Sequence, residues 1–414
     1  MFKKLNKALF LSSLIFNSFL FSIKITPELI NKLQSIVLNS KCHTGIEIYS
    51  SLEKRIIYEK NAEKLFTPAS TTKLFLALSA LHILGSNYKF ETTFLTDGQI
   101  SNNCLKGNLF IKGSGDPTLK TEDFNNLIKI LLDNNIEQIT GDICIDTTIF
   151  DNNFYAPGTT TDDIGANWNN TVGGLIIDHK AASINSLPNI ELFDHNRIKD
   201  IFFNISDFLK NLLEKNNIRL EGKVVYLQAP ENNWYVLGTH KSEKLSFLLK
   251  HMLKVSDNLY ADCIFKKLGN KIFNEPGSWQ NGKRALDNFL KENLFLESNQ
   301  IKIVDGSGLS RYNLISPDQA IKLLIWAHGQ CYFAKFLKSL PISAIDGTLE
   351  KRMSEIPGKV KAKTATMGGV SALSGYIESD DDTLIFSILN NGYIQQTCKL
   401  EIEDAICKIL VNAD

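Results

Sequence analysis

The chain carries no excess charge of either sign. Its 45 Lys and Arg residues are balanced by 45 Asp and Glu over 414 residues, so no bulk field draws it to nucleic acid or to an anionic membrane surface, and a partner has to be recognised locally. Cysteine is sparse: seven residues, an odd number, leave at least one thiol unpaired within the chain and make no disulfide framework. For Cys104 and Cys144 a bridge and two buried free thiols are both open, the second being the commoner state of such residues. Cys398 and Cys407 stand on an expected C-terminal helix, where about 13 Å of rise excludes a bridge between them. No cysteine or histidine cluster has metal-ligand spacing, so no metal is expected, and no other cofactor is expected either. Internal repeats and low-complexity tracts are missing too, and no segment beyond the first 22 residues is apolar for long enough to span a bilayer.

What is present is an ordinary globular balance, 43% hydrophobic and 22% charged, on a chain long enough for two or three domains. Residues 1–22, "MFKKLNKALFLSSLIFNSFLFS", put Lys3, Lys4 and Lys7 ahead of an apolar run from Ala8 to Phe21. That is the layout of a secretory signal peptide and predicts export to the periplasm or cell envelope. Only Ser18 and Ser22 offer small residues for cleavage, so an uncleaved anchor with weak membrane association is the alternative.

From Thr44 to Phe66 two apolar-rich runs flank a polar turn, which predicts a β-hairpin. "TPASTTKLFLALSALHILG" follows, with Pro68 ahead of an apolar helix that stops at Gly85. Between about 90 and 245 the texture changes to short β-like runs with turn signals, such as "CLKGNLFIKGSGDPTL" and "ITGDICIDTTIFD". Helical spacing returns in "KLSFLLKHMLKVSDNLYADCIFKKLG", and the chain ends in strand-like "KVKAKTAT", "SALSGYIES" and "TLIFSILNNG" before a closing helix. The expected fold is α/β (α+β): helices packed on an antiparallel sheet, split by a β-rich insertion.

Three short patterns could carry chemistry. Ser70 and Lys73, three apart at a helix start, share a face, so the lysine amine reaches the serine hydroxyl. A lysine serves as base only where burial or a neighbouring cation lowers its pKa. Ser51 with Lys54 and Ser86 with Lys89 repeat the spacing in turn contexts and read as solvated surface pairs. Ser256-Asp257-Asn258 lies between two helical stretches; its plain reading is a turn or cap, its functional one a proton relay at Ser256 and an amide at Asn258 that orients a peptide-like substrate. Lys363-Thr364-Ala365 belongs to a late strand, where Lys363 and Ala365 face the same side. A lysine there is commonly an edge residue; functionally it would anchor a carboxylate and depress the pKa of Lys73.

Their order, Ser-x-x-Lys, Ser-x-Asn, then Lys-Thr-x, resembles the penicillin-recognising serine enzymes. With the long insertion, "GSGDPTL", "KVSDNLYAD", "DGSGLSRYNLISP", "DGTLEKR" and "KTATMGGVSALSGY", the chain resembles the low-molecular-weight class C penicillin-binding proteins, the D-Ala-D-Ala carboxypeptidase/endopeptidase family, over nearly its whole mature length. The resemblance implies a transpeptidase/β-lactamase-like domain at residues 23–94 and 246–414, with the β-rich inserted region at 95–245, acting on peptidoglycan stem peptides and acylated by β-lactam antibiotics. It implies Ser70 as nucleophile, Lys73 as base, Ser256 as proton relay and Asn258 as holder of the substrate amide. Lys363 and Thr364 would bind the terminal carboxylate, and the backbone N–H groups of Ser70 and Thr366 would form an oxyanion hole, a contribution of several kcal/mol.

Ala365 stands where that family usually has glycine. Its methyl, on the face of Lys363, is expected to narrow the approach of a substrate backbone, at about 1–3 kcal/mol, or about 10- to 100-fold in rate. Three readings follow: an active D,D-carboxypeptidase or endopeptidase, a β-lactamase, against which the insertion argues, and a non-catalytic peptidoglycan-binding scaffold, which only Ala365 favours.

Overall fold

The computed structural model of the protein describes residues 26–38, 42–184, 201–378, 382–393 and 399–412. The expected signal segment, residues 1–22, lies outside them, as does Cys398.

Five strands form an antiparallel sheet in the order Val360–Met367, Val370–Glu378, Thr383–Asn391, His43–Ser50 and Arg55–Lys60. Both ends of the chain therefore meet in one sheet, with Thr44 opposite Asn390 and Tyr49 opposite Ile385. Strand 383–391 reads "TLIFSILNN" with no alternation because both its faces are covered. On one face Leu373, Ile388 and Ala362 join Leu33 of helix Pro27–Leu38 and Ile406 of helix Ala405–Val411. On the other, Ala372, Tyr376 and Leu389 join the helices Thr72–Ile83, Leu245–Val255, Asn258–Phe273 and Pro317–His328. This is the predicted arrangement of helices on an antiparallel sheet. Helix Thr72–Ile83 lies at the centre of that layer, and every residue from Thr72 to Leu81 is buried, which is why "TKLFLALSAL" has no polar stripe.

Between Glu91 and Lys241 the described residues build three further sheets. The largest is mixed, in the order Val224–Tyr226, Ile143–Asp146, Leu109–Lys112, Glu91–Thr96, Tyr235–Lys241. Among the described residues two helices accompany them, Phe124–Asp133 and Ile205–Lys215. The reading of this stretch as β-like missed both, although Phe124, Leu127, Ile128 and Leu131 follow the 3–4 spacing of a helix face and are buried. Lys266 ties the insertion to the sheet body. Fully buried, it pairs with Asp151 at 2.7 Å, donates to the carbonyl of Asn153 at 2.8 Å and lies 4.8 Å from the centre of the Trp279 ring, so its charge is compensated from three sides.

Cys104, Cys144, Cys263, Cys331 and Cys407 are free thiols, and Cys42 is disulfide-bonded. Among the described residues no helix is long and apolar enough to cross a membrane.

Candidate active site

Ser70 occupies a single 3-10 turn, Ala69–Thr71, that runs directly into helix Thr72–Ile83. Ala69 enters it at φ +46°, a left-handed conformation that costs an alanine of order 1 kcal/mol and is held only by its surroundings. Gly308, at φ +83°, presses its backbone against the Ala69 carbonyl, where a methyl would collide. One helical turn separates Ser70 from Lys73, and Lys73 Nζ lies 3.0 Å from Ser70 Oγ.

Lys73 is fully buried and spends its other donors on Asn258 Oδ1 at 2.6 Å and the Ser307 carbonyl at 2.5 Å. Burial pulls its pKa down to about 8, against the opposing pull of Asp262, Asp305 and Asp257. A lysine so placed is neutral in a large fraction of molecules near pH 8, and on the same 3.0 Å line it can then accept the Ser70 proton.

The second pattern serves as cap and site at once. Ser256 ends helix Leu245–Val255 in the left-handed region at φ +64°, and Asp257 caps helix Asn258–Phe273 by accepting from the Tyr260 N–H at 3.0 Å. The chain reversal leaves Ser256 and Asn258 facing two different lysines. Asn258 meets Lys73, whereas Ser256 Oγ accepts from Lys363 Nζ at 3.0 Å.

Lys363 is not an edge residue facing water. It is fully buried on strand Val360–Met367 and also donates to the Thr364 carbonyl at 2.7 Å. Burial first, and the charge of Lys73 second, hold its pKa well below the usual lysine range. Lys363 is expected to depress Lys73; burial is the main cause for both, and the repulsion between the two ammonium groups adds to it. Ala365, on the same face, is 4% exposed within the apolar cluster that holds Ala69.

Five of the seven expected residues thus come together: Ser70, Lys73 and Asn258 in one group, Ser256 and Lys363 in the other, joined by the Ser256–Asn258 turn. Thr364 and Thr366 do not extend that side-chain network. Thr364 Oγ1 donates to Thr348 Oγ1 at 2.6 Å, and Thr366 is exposed. Sequence reasoning assigned nothing to Asp262, Asp305 and Ser307, the surroundings of Lys73, although "DGSG" was visible as a pattern. Nor did it foresee the carbonyl of Trp168, in the insertion, which accepts from Asn258 Nδ2 at 2.8 Å. The segment that carries Trp168 therefore reaches Asn258.

The chain has close formal kin. A family model described as "D-Ala-D-Ala carboxypeptidase 3 (S13) family" matches residues 30–192 and 193–413. The D-alanyl-D-alanine carboxypeptidase DacB of Haemophilus influenzae is 27% identical over 402 residues, 82% of this chain and 84% of that one. A D-alanyl-D-alanine carboxypeptidase of Actinomadura sp. (strain R39) is 26% identical over 434 residues, 88% of this chain and 80% of its own. Among solved structures, penicillin binding protein 4 of Haemophilus influenzae superimposes with a TM-score of 0.79 at 23% identity, over 94% of this chain and 98% of that one, a likeness of fold.

Proposed function

Because the chain belongs to the D-Ala-D-Ala carboxypeptidase 3 (S13) family and is a serine peptidase, we propose that it acts on peptidoglycan stem peptides through an acyl-enzyme on Ser70. The observation that carries this reading is the fully buried Lys73, with Ser70 Oγ and Asn258 Oδ1 both within 3.0 Å of its Nζ. Ser70 Oγ attacks the carbonyl of the penultimate D-alanine, Lys73 takes the Ser70 proton, and the C–N bond to the terminal D-alanine breaks as the departing nitrogen is protonated by way of Ser256. Water then hydrolyses the ester and restores Ser70. Asn258 holds the substrate amide, Lys363 and Thr364 hold the terminal carboxylate, and the N–H groups of Ser70 and Thr366 receive the oxyanion. A D-alanine within a crosslink presents the same acyl group, so endopeptidase cleavage uses the same machinery. Release of D-alanine from a pentapeptide, and scission of a crosslinked dimer, test this directly; a protein that acylates with penicillin yet turns over neither would overturn it.

Penicillin acylation belongs to the same reading, since a β-lactam presents an amide and a carboxylate at matching positions. The site lies outside the cytoplasm if residues 1–22 direct export, and the peptidase body comprises 23–94 and 246–414 around the insertion at 95–245.

The scaffold reading rests on Ala365 alone. With the methyl 4% exposed beside a buried Lys363, Ala365→Gly is expected to speed acylation by about 10- to 100-fold if the clash is unrelieved. Stopped-flow labelling with a fluorescent penicillin measures it. An unchanged rate means the strand has already accommodated the methyl, and labelling seen only in the glycine variant would favour the scaffold.

A further inference from the structure

We propose that Asp262 is a positioning residue for acylation: through the main chain of Gly306 and Ser307 it helps to fix the carbonyl that holds the Lys73 amine, and it supplies negative charge facing that amine. The inference rests on the assignment of Lys73 as base.

Asp262 follows Asn258 by four residues on helix Asn258–Phe273, so the two share a face. Asn258 touches Lys73 directly, whereas Asp262 acts through the main chain. Its Oδ1 accepts the N–H groups of both Gly306 and Ser307, each at 2.9 Å, and the carbonyl of Ser307 accepts from Lys73 Nζ at 2.5 Å. The loop lies so close to the helix that a side chain at Gly306 would meet the Ala261 carbonyl. Asp305 secures the rest of the loop, accepting from Gly308 N at 2.9 Å, Ser310 N at 2.7 Å and Asn313 Nδ2 at 2.6 Å. Asp262 holds the N–H of Ser307, and Asp305 holds the N–H of Gly308, which shares a peptide group with the Ser307 carbonyl, so the two carboxylates fix that carbonyl from either side. Both carboxylates are buried, so their hydrogen bonds are charge-assisted and shielded from water.

The charged groups around this point are few. Lys73 faces Asp262, Asp305 and Asp257 as attractive charges and Lys363 as a repulsive one; Asp262 faces Asp305 and Lys73. Burial and the neighbouring Asp305 push Asp262 up to about 7. The two main-chain N–H groups that Asp262 accepts, and the Lys73 amine it faces, favour its ionised form against that push.

The test is the pH dependence of the single-turnover acylation rate constant with a fluorescent penicillin, in wild type, Asp262→Asn and Asp262→Ala. A rate constant is independent of the fraction of protein that folds. Asn keeps an acceptor oxygen but loses the charge, so Lys73 releases its proton more readily, and the acid limb is expected to move down by about 1 pH unit or more with the plateau within a few-fold of wild type. Ala loses the cradle as well, and its plateau is expected to fall about 100-fold, the cost of an ångström of misplacement. A wild-type midpoint in the Asn variant, or a wild-type plateau in the Ala variant, overturns the inference. Should the Asn variant yield no folded protein, Asp262→Glu keeps the charge and is expected to keep the midpoint with a lowered plateau; a shifted midpoint there overturns it equally. Failure of wild type to acylate at any pH would instead overturn the assignment of Ser70 and Lys73.

Discussion

Lys73→Met is expected to acylate about 10²- to 10⁴-fold more slowly than wild type, the range a positioned general base contributes. The side chain is fully buried, and methionine fills a similar volume without an ammonium to desolvate, so the fold should persist and the loss should be chemical. Among the described residues Lys73 Nζ is the side-chain group hydrogen-bonded to Ser70 Oγ, and Asn258 Oδ1 and the Ser307 carbonyl are turned to Lys73 rather than to the serine. The pH profile distinguishes this from a packing defect. The pKa of Lys73 is lowered from 10.5 to about 8, and the reactive form is the neutral amine. Wild-type acylation is therefore expected to rise with pH through about 8 and level off above it, losing roughly tenfold per unit below. Lys73→Met should have no such limb. A variant as fast as wild type, or one that keeps the limb, would mean that another group takes the proton.

Lys363→Ala is expected to raise KM for a D-Ala-D-Ala peptide by about 30- to 1000-fold, the cost of truncating one member of a buried hydrogen-bonded charge pair. A peptide whose C-terminus is amidated has no carboxylate to lose and should change far less. The pairing has a pH signature of its own. Burial and Lys73 hold Lys363 well below the usual lysine range, so the free site is short of charge there, and an incoming carboxylate raises the pKa again and draws a proton with it. Binding of the acid should therefore weaken as pH rises, while binding of the amide should not. Equal losses for acid and amide would reassign Lys363 to a structural role at Ser256.

The sequence exposed the pieces of this site better than their connections. Ser70 and Lys73 were legible because one helical turn fixes their spacing, and the strand at 360–367 because its residues suit a pleat. What singled out the Ser70–Lys73 pair from Ser51–Lys54 and Ser86–Lys89 was the apolar helix behind it, and the burial of that helix from Thr72 to Leu81 is the physical counterpart. Lys363 defied the edge-strand expectation because strand Val360–Met367 is covered on both faces, which no local pattern reports. Asp262 and Asp305 went unassigned since their partners are main-chain N–H groups more than forty residues away or in an irregular loop, and such bonds leave no periodicity. Trp168 acts through its carbonyl, which every residue has. The helices at 124–133 and 205–215 were masked by the turn-rich texture around them.

The central claim is an acyl-enzyme on Ser70. Intact-protein mass after treatment with penicillin, followed by digestion with trypsin, tests it most directly, because Lys64 and Lys73 bracket a peptide, Leu65–Lys73, that isolates Ser70 as its one serine. The account predicts a single penicillin adduct on that peptide in wild type and none in Ser70→Ala. An adduct on another peptide, or one that survives in Ser70→Ala, would contradict it.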